Sequence, residues 1–280
     1  MSTRSGAQRT ILRVGAIAVT SALLATTTPA NADIPLPGGS ADHYAGSQIS
    51  RHEGPSDAVM SAPAAASPEG VVEGIDVSSH QKSVDWTSHW NEGKRFAYVK
   101  ATEGTDYLNP AFEPQYNGSF DVGMIRGAYH FALPDRSDGA AQAHFFVDNG
   151  GGWSPDGRTL PGALDIEYNP YSGGTCYGLS GEEMARWILG FSDTYHARTG
   201  RWPMIYTSTH WWNQCTGQLG DFSETNPVWV ARYSSEIGAL PHPWQFHTIW
   251  QYTSTPLDQN TFNGSYDRLI ALSTGVPLAQ

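Results

Sequence analysis

Positive charge is scarce in this 280-residue chain. It has 16 Lys+Arg against 27 Asp+Glu, a formal net charge of −11, and charged residues make up only 15% of it. No strongly basic surface is available for sequence-independent nucleic-acid binding. Metal-ligating patterns are also missing. The ten His residues form no H-E-x-x-H and no Cys/His cluster, so no metal or cofactor is expected. There is no G-x-S-x-G elbow and no P-loop. Cysteine is limited to Cys176 and Cys215, neither in a reactive motif, which argues against thiol catalysis. Long apolar runs are absent beyond the N-terminus, so no stable membrane association is expected.

Aromatic side chains, by contrast, are plentiful, with 10 Trp, 13 Tyr and 10 Phe. That content argues against a largely disordered chain. The length supports one large domain or two small ones with a real core. An acidic, aromatic-rich, lightly charged protein suits neutral, flat ligands such as sugars, although core-rich domains share that composition.

The N-terminus has the texture of a secretory signal. Arg4, Arg9 and Arg13 precede an apolar run over residues 14–25, and Ala30-Asn31-Ala32 closes it with a small-x-small pattern. The run is short for a membrane anchor. Cleavage after residue 32 would start the mature chain near Asp33. The basic count would drop from 16 to 13 against 27 acids, taking the net charge from −11 to −14. The expected location is therefore extracellular. In that oxidising setting Cys176 and Cys215 are expected to pair, closing a loop of about 40 residues worth roughly 4 kcal/mol in the chain-entropy model. Two free buried thiols are the alternative.

Residues 33–70 are rich in Pro, Ser, Ala and Gly, show no sustained apolar period, and read as a flexible leader. From residue 71 the texture changes, and residues 71–280 read as one domain. Short apolar, β-branched or aromatic runs recur at 71–78, 96–102, 124–131, 160–167, 202–208, 228–233 and 247–252. Helices are expected at 137–149 and 180–198. The second opens on a capping-box pattern, Ser180 with Glu183, and carries Met184, Trp187, Ile188 and Phe191 on one face before Gly200. Gly150-Gly151-Gly152 reads as a helix-ending turn. Repeated strand–helix alternation means a parallel sheet. Sparse helix between the last strands favours a closed barrel, with functional residues at the C-terminal strand ends.

The segment Gly162-Ala163-Leu164-Asp165-Ile166-Glu167 carries the strongest chemical signal. Strand alternation puts Asp165 and Glu167 on one face. Two acids facing inward at a strand end are costly unless used, paired or solvated. Close carboxylates raise one another's proton affinity, which suits a general acid. Asp76, between Ile75 and Val77, ends the first run. Asp258 follows the last, and by itself reads as a turn residue. Tyr98, Tyr129, Tyr206, Trp229, Trp250 and Tyr252 sit near strand ends, where rings could stack on sugars or pack a core. Lys100 and Glu103 could orient a neighbouring acid or form a rim ion pair.

Taken together, these segments resemble glycoside hydrolase family 25, the Chalaropsis-type lysozymes. The carrying stretches are Gly74-Ile75-Asp76-Val77-Ser78-Ser79-His80-Gln81, Phe96-Ala97-Tyr98-Val99-Lys100-Ala101-Thr102-Glu103-Gly104, Gly127-Ala128-Tyr129-His130-Phe131, Leu164-Asp165-Ile166-Glu167, Ile249-Trp250-Gln251-Tyr252 and Asp258-Gln259-Asn260. The resemblance implies an α/β fold: a modified TIM-like barrel of five β/α units followed by three strands. It implies hydrolysis of the β-1,4 bond between N-acetylmuramic acid and N-acetylglucosamine in peptidoglycan. It also implies Glu167 as general acid, Asp165 as its assisting neighbour, and Asp76 and Asp258 as the other site acids. Tyr129, Tyr206, Trp229, Trp250, Tyr252, Lys100 and Glu103 are then candidate substrate contacts. No oligomerisation signal is visible, so a monomer is expected. A chitinase-like or endo-β-N-acetylglucosaminidase activity fits the same D-x-E pair, and a non-catalytic glycan-binding barrel is the alternative from another class.

Overall fold

The computed structural model describes Met1, residues 42–54 and residues 70–276. The chain divides into two units, Met1–Gly39 and Ser40–Gln280, and every element below lies in the second. The expected signal sequence falls outside the described residues, apart from Met1.

Apolar alternation produces the strands, and β1 shows how. In β1 (Val72–Val77), Ile75 and Val77 pack outward with Trp86, Ala97, Val99 and Met124, while Asp76 lies on the opposite face. The strands that follow are β2 (Phe96–Glu103), the two-residue β3 (Tyr107–Leu108), β4 (Ile125–Phe131), β5 (Ala163–Asp165), β6 (Met204–Thr207), β7 (Val228–Ala231), β8 (Ile249–Thr253) and β9 (Gln259–Phe262). Their order is β1-β9-β8-β7-β6-β5-β4-β2-β3, and β1 also pairs with β2, which closes a barrel. Strand β9 runs antiparallel to both β1 and β8, whereas β1, β2, β4, β5, β6, β7 and β8 pair in parallel.

Helices α2 (Trp86–Asn91), α3 (Phe112–Asp121), α4 (Gly139–Phe146), α5 (Gly181–Thr199) and α6 (Thr209–Cys215) follow β1, the β2–β3 hairpin, β4, β5 and β6. Strands β7, β8 and β9 then succeed one another without helix, and α7 (Tyr266–Thr274) ends the described chain. This is the modified TIM-like barrel with five β/α units and three further strands.

Helix α5 forms as its pattern predicts. The Ser180 side chain accepts from the Glu183 amide, and Glu183 Oε2 accepts from the Ser180 amide at 2.8 Å. Met184, Trp187, Ile188 and Phe191 are buried, and Gly200 (φ 72°) supplies the left-handed cap. Helix α4 is shorter than expected. It gives way to a wide turn over residues 147–151, where Gly150 adopts φ 103°. Strand β9 escapes the pattern because Gln259, Asn260 and Thr261 are polar, and Asn260 faces inward for a purpose described below. The expected disulfide is present, with Cys176 and Cys215 at a Cα–Cα distance of 5.3 Å.

Part of the expected leader departs from its composition. Residues 42–54 fold onto the barrel, and Ser47–Glu53 form a helix, α1. Ala45 and Ile49 join the main apolar cluster. Seven helical residues are too few to show a sustained apolar period, so composition alone suggests a linker.

Candidate active site

Asp76, Asp165, Glu167 and Asp258 lie at or just past the C-terminal ends of β1 and β5 and at the start of β9, and all four are buried. Because β9 runs antiparallel to β1, its first residues come to the same end of the barrel as the last residues of the parallel strands. A sequence separation of 182 residues between Asp76 and Asp258 is thereby removed. Mutual repulsion among the four is felt. Burial first, then the charge of Glu167, raises the Asp165 carboxyl well above its usual range. Burial, Asp76 and Glu167 do the same to Asp258.

Asp76 is held from one side. Its Oδ2 accepts from Gln251 Nε2 at 2.9 Å and from Asn260 Nδ2 at 2.7 Å. Neither amide can turn round. Asn260 Oδ1 accepts from the Trp229 indole N–H at 2.8 Å, and Gln251 Oε1 accepts from the Tyr206 hydroxyl at 2.7 Å. The other oxygen of Asp76 has no hydrogen-bond partner. Burial raises Asp76 to about 7, against the opposing pull of the two amides. Asp165 is barer still, since neither carboxyl oxygen has a partner.

Glu167 stands just beyond β5. Its Oε1 accepts from the Gly46 amide at 2.8 Å, and its Oε2 accepts from the amides of Gln48 at 3.1 Å and Ile49 at 2.7 Å. Burial pushes Glu167 up to about 8, although these three N–H groups favour its charged form.

At the other end of the mouth, Lys100 Nζ donates to Glu103 Oε2, Asp42 Oδ1 and the His43 carbonyl, each at 2.6 Å. Glu103 Oε1 also accepts from His43 Nδ1 at 2.9 Å. Burial alone would raise Glu103, but His43 and Lys100 outweigh it and hold the carboxyl below its usual value.

The candidate aromatics separate by strand face. Tyr129 reaches the mouth, where its hydroxyl accepts from the Ala45 amide at 3.2 Å. Tyr206 and Trp229 point inward, but both are fully buried and act on the amides that hold Asp76. Tyr98 packs against Trp229 with the rings tilted, 4.8 Å between ring centres. Trp250 and Tyr252 flank the inward-facing Gln251, so alternation turns both rings away from the acids. Trp250 donates to the Arg232 carbonyl at 2.8 Å instead. Gln251, Asn260 and the helix α1 segment are the functional residues that pattern reading passes over. A buried amide flanked by aromatics on a strand, as in Trp250-Gln251-Tyr252, is the signal that would have singled out the first of them. Among the described residues, no cluster of His, Cys, Asp and Glu is arranged to hold a metal.

Known proteins share this barrel over most of the chain. The chain is 49% identical over 210 residues to lysozyme M1 of Streptomyces globisporus, covering 72% of this chain and 71% of that one. It is 49% identical over 211 residues to the N,O-diacetylmuramidase of Chalaropsis sp, covering 73% of this chain and all of the other. Among solved structures, a family GH25 lysozyme from Aspergillus fumigatus superposes with a TM-score of 0.72 at 49% identity, over 73% of this chain and 100% of that one. With the model for glycosyl hydrolases family 25 matching residues 75–260, the chain belongs to that family.

Proposed function

We propose that this protein is an exported lysozyme that hydrolyses the β-1,4 bond between N-acetylmuramic acid and N-acetylglucosamine in peptidoglycan. The observation that carries the reading is Glu167, a carboxyl with its pKa near 8, beside the unpartnered Asp165. A general acid must carry its proton at working pH, and burial shifts Glu167 in that direction. Relatives named lysozyme and N,O-diacetylmuramidase support the choice of substrate. The basic–apolar–small pattern of residues 4–32 supports export. Among the described residues no helix is long and apolar enough to cross a membrane.

In this mechanism Glu167 protonates the glycosidic oxygen, and that bond breaks as the substrate's own 2-acetamido oxygen attacks the anomeric carbon. Asp165, in its ionised form, accepts a hydrogen bond from the acetamido N–H. Water, deprotonated by Glu167, then opens the ring intermediate and restores both acids. Asp76 and Asp258 complete the acidic lining beside the reacting sugar.

Glu167→Gln keeps the size of the side chain but cannot donate the proton. Its rate of clearing a cell-wall suspension is expected to drop by about 10²–10⁴-fold. Products released by the wild type should end in reducing N-acetylmuramic acid. Clearing by Glu167→Gln at near wild-type rate refutes the role of Glu167, and products ending in reducing N-acetylglucosamine refute the bond assignment.

A further inference from the structure

Residues 42–54 bind where a glycan strand would have to lie, and their contacts run along the whole mouth of the barrel. At one end Asp42 pairs with Lys100 and bonds the Ser79 hydroxyl, and the His80 ring donates to the Asp42 carbonyl at 2.6 Å. His43 bonds Glu103 and packs on Phe131 and Tyr171. In the middle Ala45 is gripped on both sides, its amide by the Tyr129 hydroxyl and its carbonyl by Gln251 Nε2 at 3.3 Å. Helix α1 then begins on Glu167. At the far end Glu53 accepts from the hydroxyls of Tyr168 and Ser208, and His52 stacks on Tyr168 with ring centres 4.1 Å apart.

Helix α1 has no cap of its own. Gly46 stands at the capping position and contributes no side-chain hydrogen bond, so the amides of Gly46, Gln48 and Ile49 would be left without acceptors, while that of Ser47 reaches the Tyr44 carbonyl at 2.9 Å. The carboxylate of Glu167 fills that role, and both of its oxygens are thereby used. A glycosidic oxygen needs one of them within hydrogen-bond reach. The helix takes three of the acceptor sites on these oxygens and so competes with a substrate for them. The fit also depends on a residue without a side chain. A Cβ on Gly46 would meet the Tyr233 hydroxyl at 2.0 Å and the Tyr206 hydroxyl at 2.7 Å, and its φ of +87° is itself unfavourable to other residues.

We infer that residues 42–53 are a built-in inhibitor: they hold the mature chain latent by occupying the glycan groove and capping onto Glu167 until they are displaced or cut away. The inference rests on the lysozyme reading of that groove. A segment in the same chain competes at a raised effective concentration, so a weak binder in isolation suffices to block a polymeric substrate.

Two forms of the chain from Asp33 to Gln280 test this against the intact wild type. In one, a specific protease site is placed between Gly54 and Gly70 and cut after folding. The other carries Gly46→Val, which dislodges the segment without a cut. Hydrolysis is read as new reducing ends, and binding is read by calorimetry with a soluble muropeptide tetrasaccharide. Both altered forms are expected to gain at least about tenfold in rate and in affinity over the intact chain. Equal rates and affinities in all three forms overturn the inference while leaving the lysozyme reading in place. A gain in affinity with no hydrolysis in any form sustains the inhibitor and overturns the lysozyme reading. No hydrolysis and no change in affinity overturn both.

Discussion

Glu103 and Glu167 are the same residue type, both fully buried at the mouth of one barrel, yet their proton affinities move in opposite directions. Around Glu103 there are a buried ammonium at 2.6 Å and an imidazole at 2.9 Å. Glu167 instead accepts from backbone amides, with other acids nearby. Burial makes any charge expensive at both places, and the neighbours then decide which form wins. The mouth is therefore divided into an ion-paired end, suited to fixing position, and a proton-holding end, suited to chemistry. The inhibitory segment bridges both, presenting an acid to Lys100, an imidazole to Glu103 and helix amides to Glu167.

Removing the ammonium is the severest way to break this contrast. Lys100→Met leaves Glu103 buried without its main counter-charge, and an expected cost of about 3–5 kcal/mol in stability should be measurable by denaturant unfolding. Unchanged stability would mean that His43 alone compensates Glu103.

A smaller effect is expected on the acidic side. Asn260→Ala removes one of the two amides on Asp76 and strands the Trp229 indole N–H. The expected loss is about 1–3 kcal/mol, with the Asp76 carboxyl titrating higher still. Carboxyl chemical shifts followed against pH would report the second effect, and an Asp76 that titrates unchanged would show Gln251 to be sufficient.

The pH dependence of stability sharpens the contrast without disturbing packing. Glu167 rises from 4.5 to about 8 on folding and Asp76 from 3.8 to about 7. Between those limits the native state holds more protons than the unfolded one, so stability falls as pH rises. Glu167→Gln should flatten that fall by at most about 1.4 kcal/mol per pH unit, one proton's worth. Glu103 is shifted the other way. Its contribution is present above the unfolded value of 4.5 and is lost as pH drops, so Glu103→Gln should flatten the acid limb instead. Melting curves between pH 3 and 9 separate the two, and identical profiles for both variants would erase the distinction.

The barrel was legible because its strands are apolar on at least one face and its α5 helix carries a full capping box and apolar stripe. Asp165 and Glu167 were legible as a pair because period-two alternation puts them on one face. Trp250 and Tyr252 show the limit of that rule. Alternation separates two faces of a strand but does not say which face closes over the acids, and here Gln251 took the inner position. Trp229 was expected at the ligand and instead orients Asn260, a role visible only when β9 is laid beside β8.

By itself, then, the amino-acid sequence determined seven barrel strands, helix α5, the acid pair on β5 and the family, because all of these are local patterns or short motifs in series. Tertiary structure alone decided how Asp76 is held, by amides 175 and 184 residues away. It also decided that residues 42–54 fold at all, since α1 takes its cap from a carboxylate 118 to 121 residues downstream. Neither choice has a local signature. Both are made by polar groups that must find partners once they are buried, and those partners exist only after the barrel has closed.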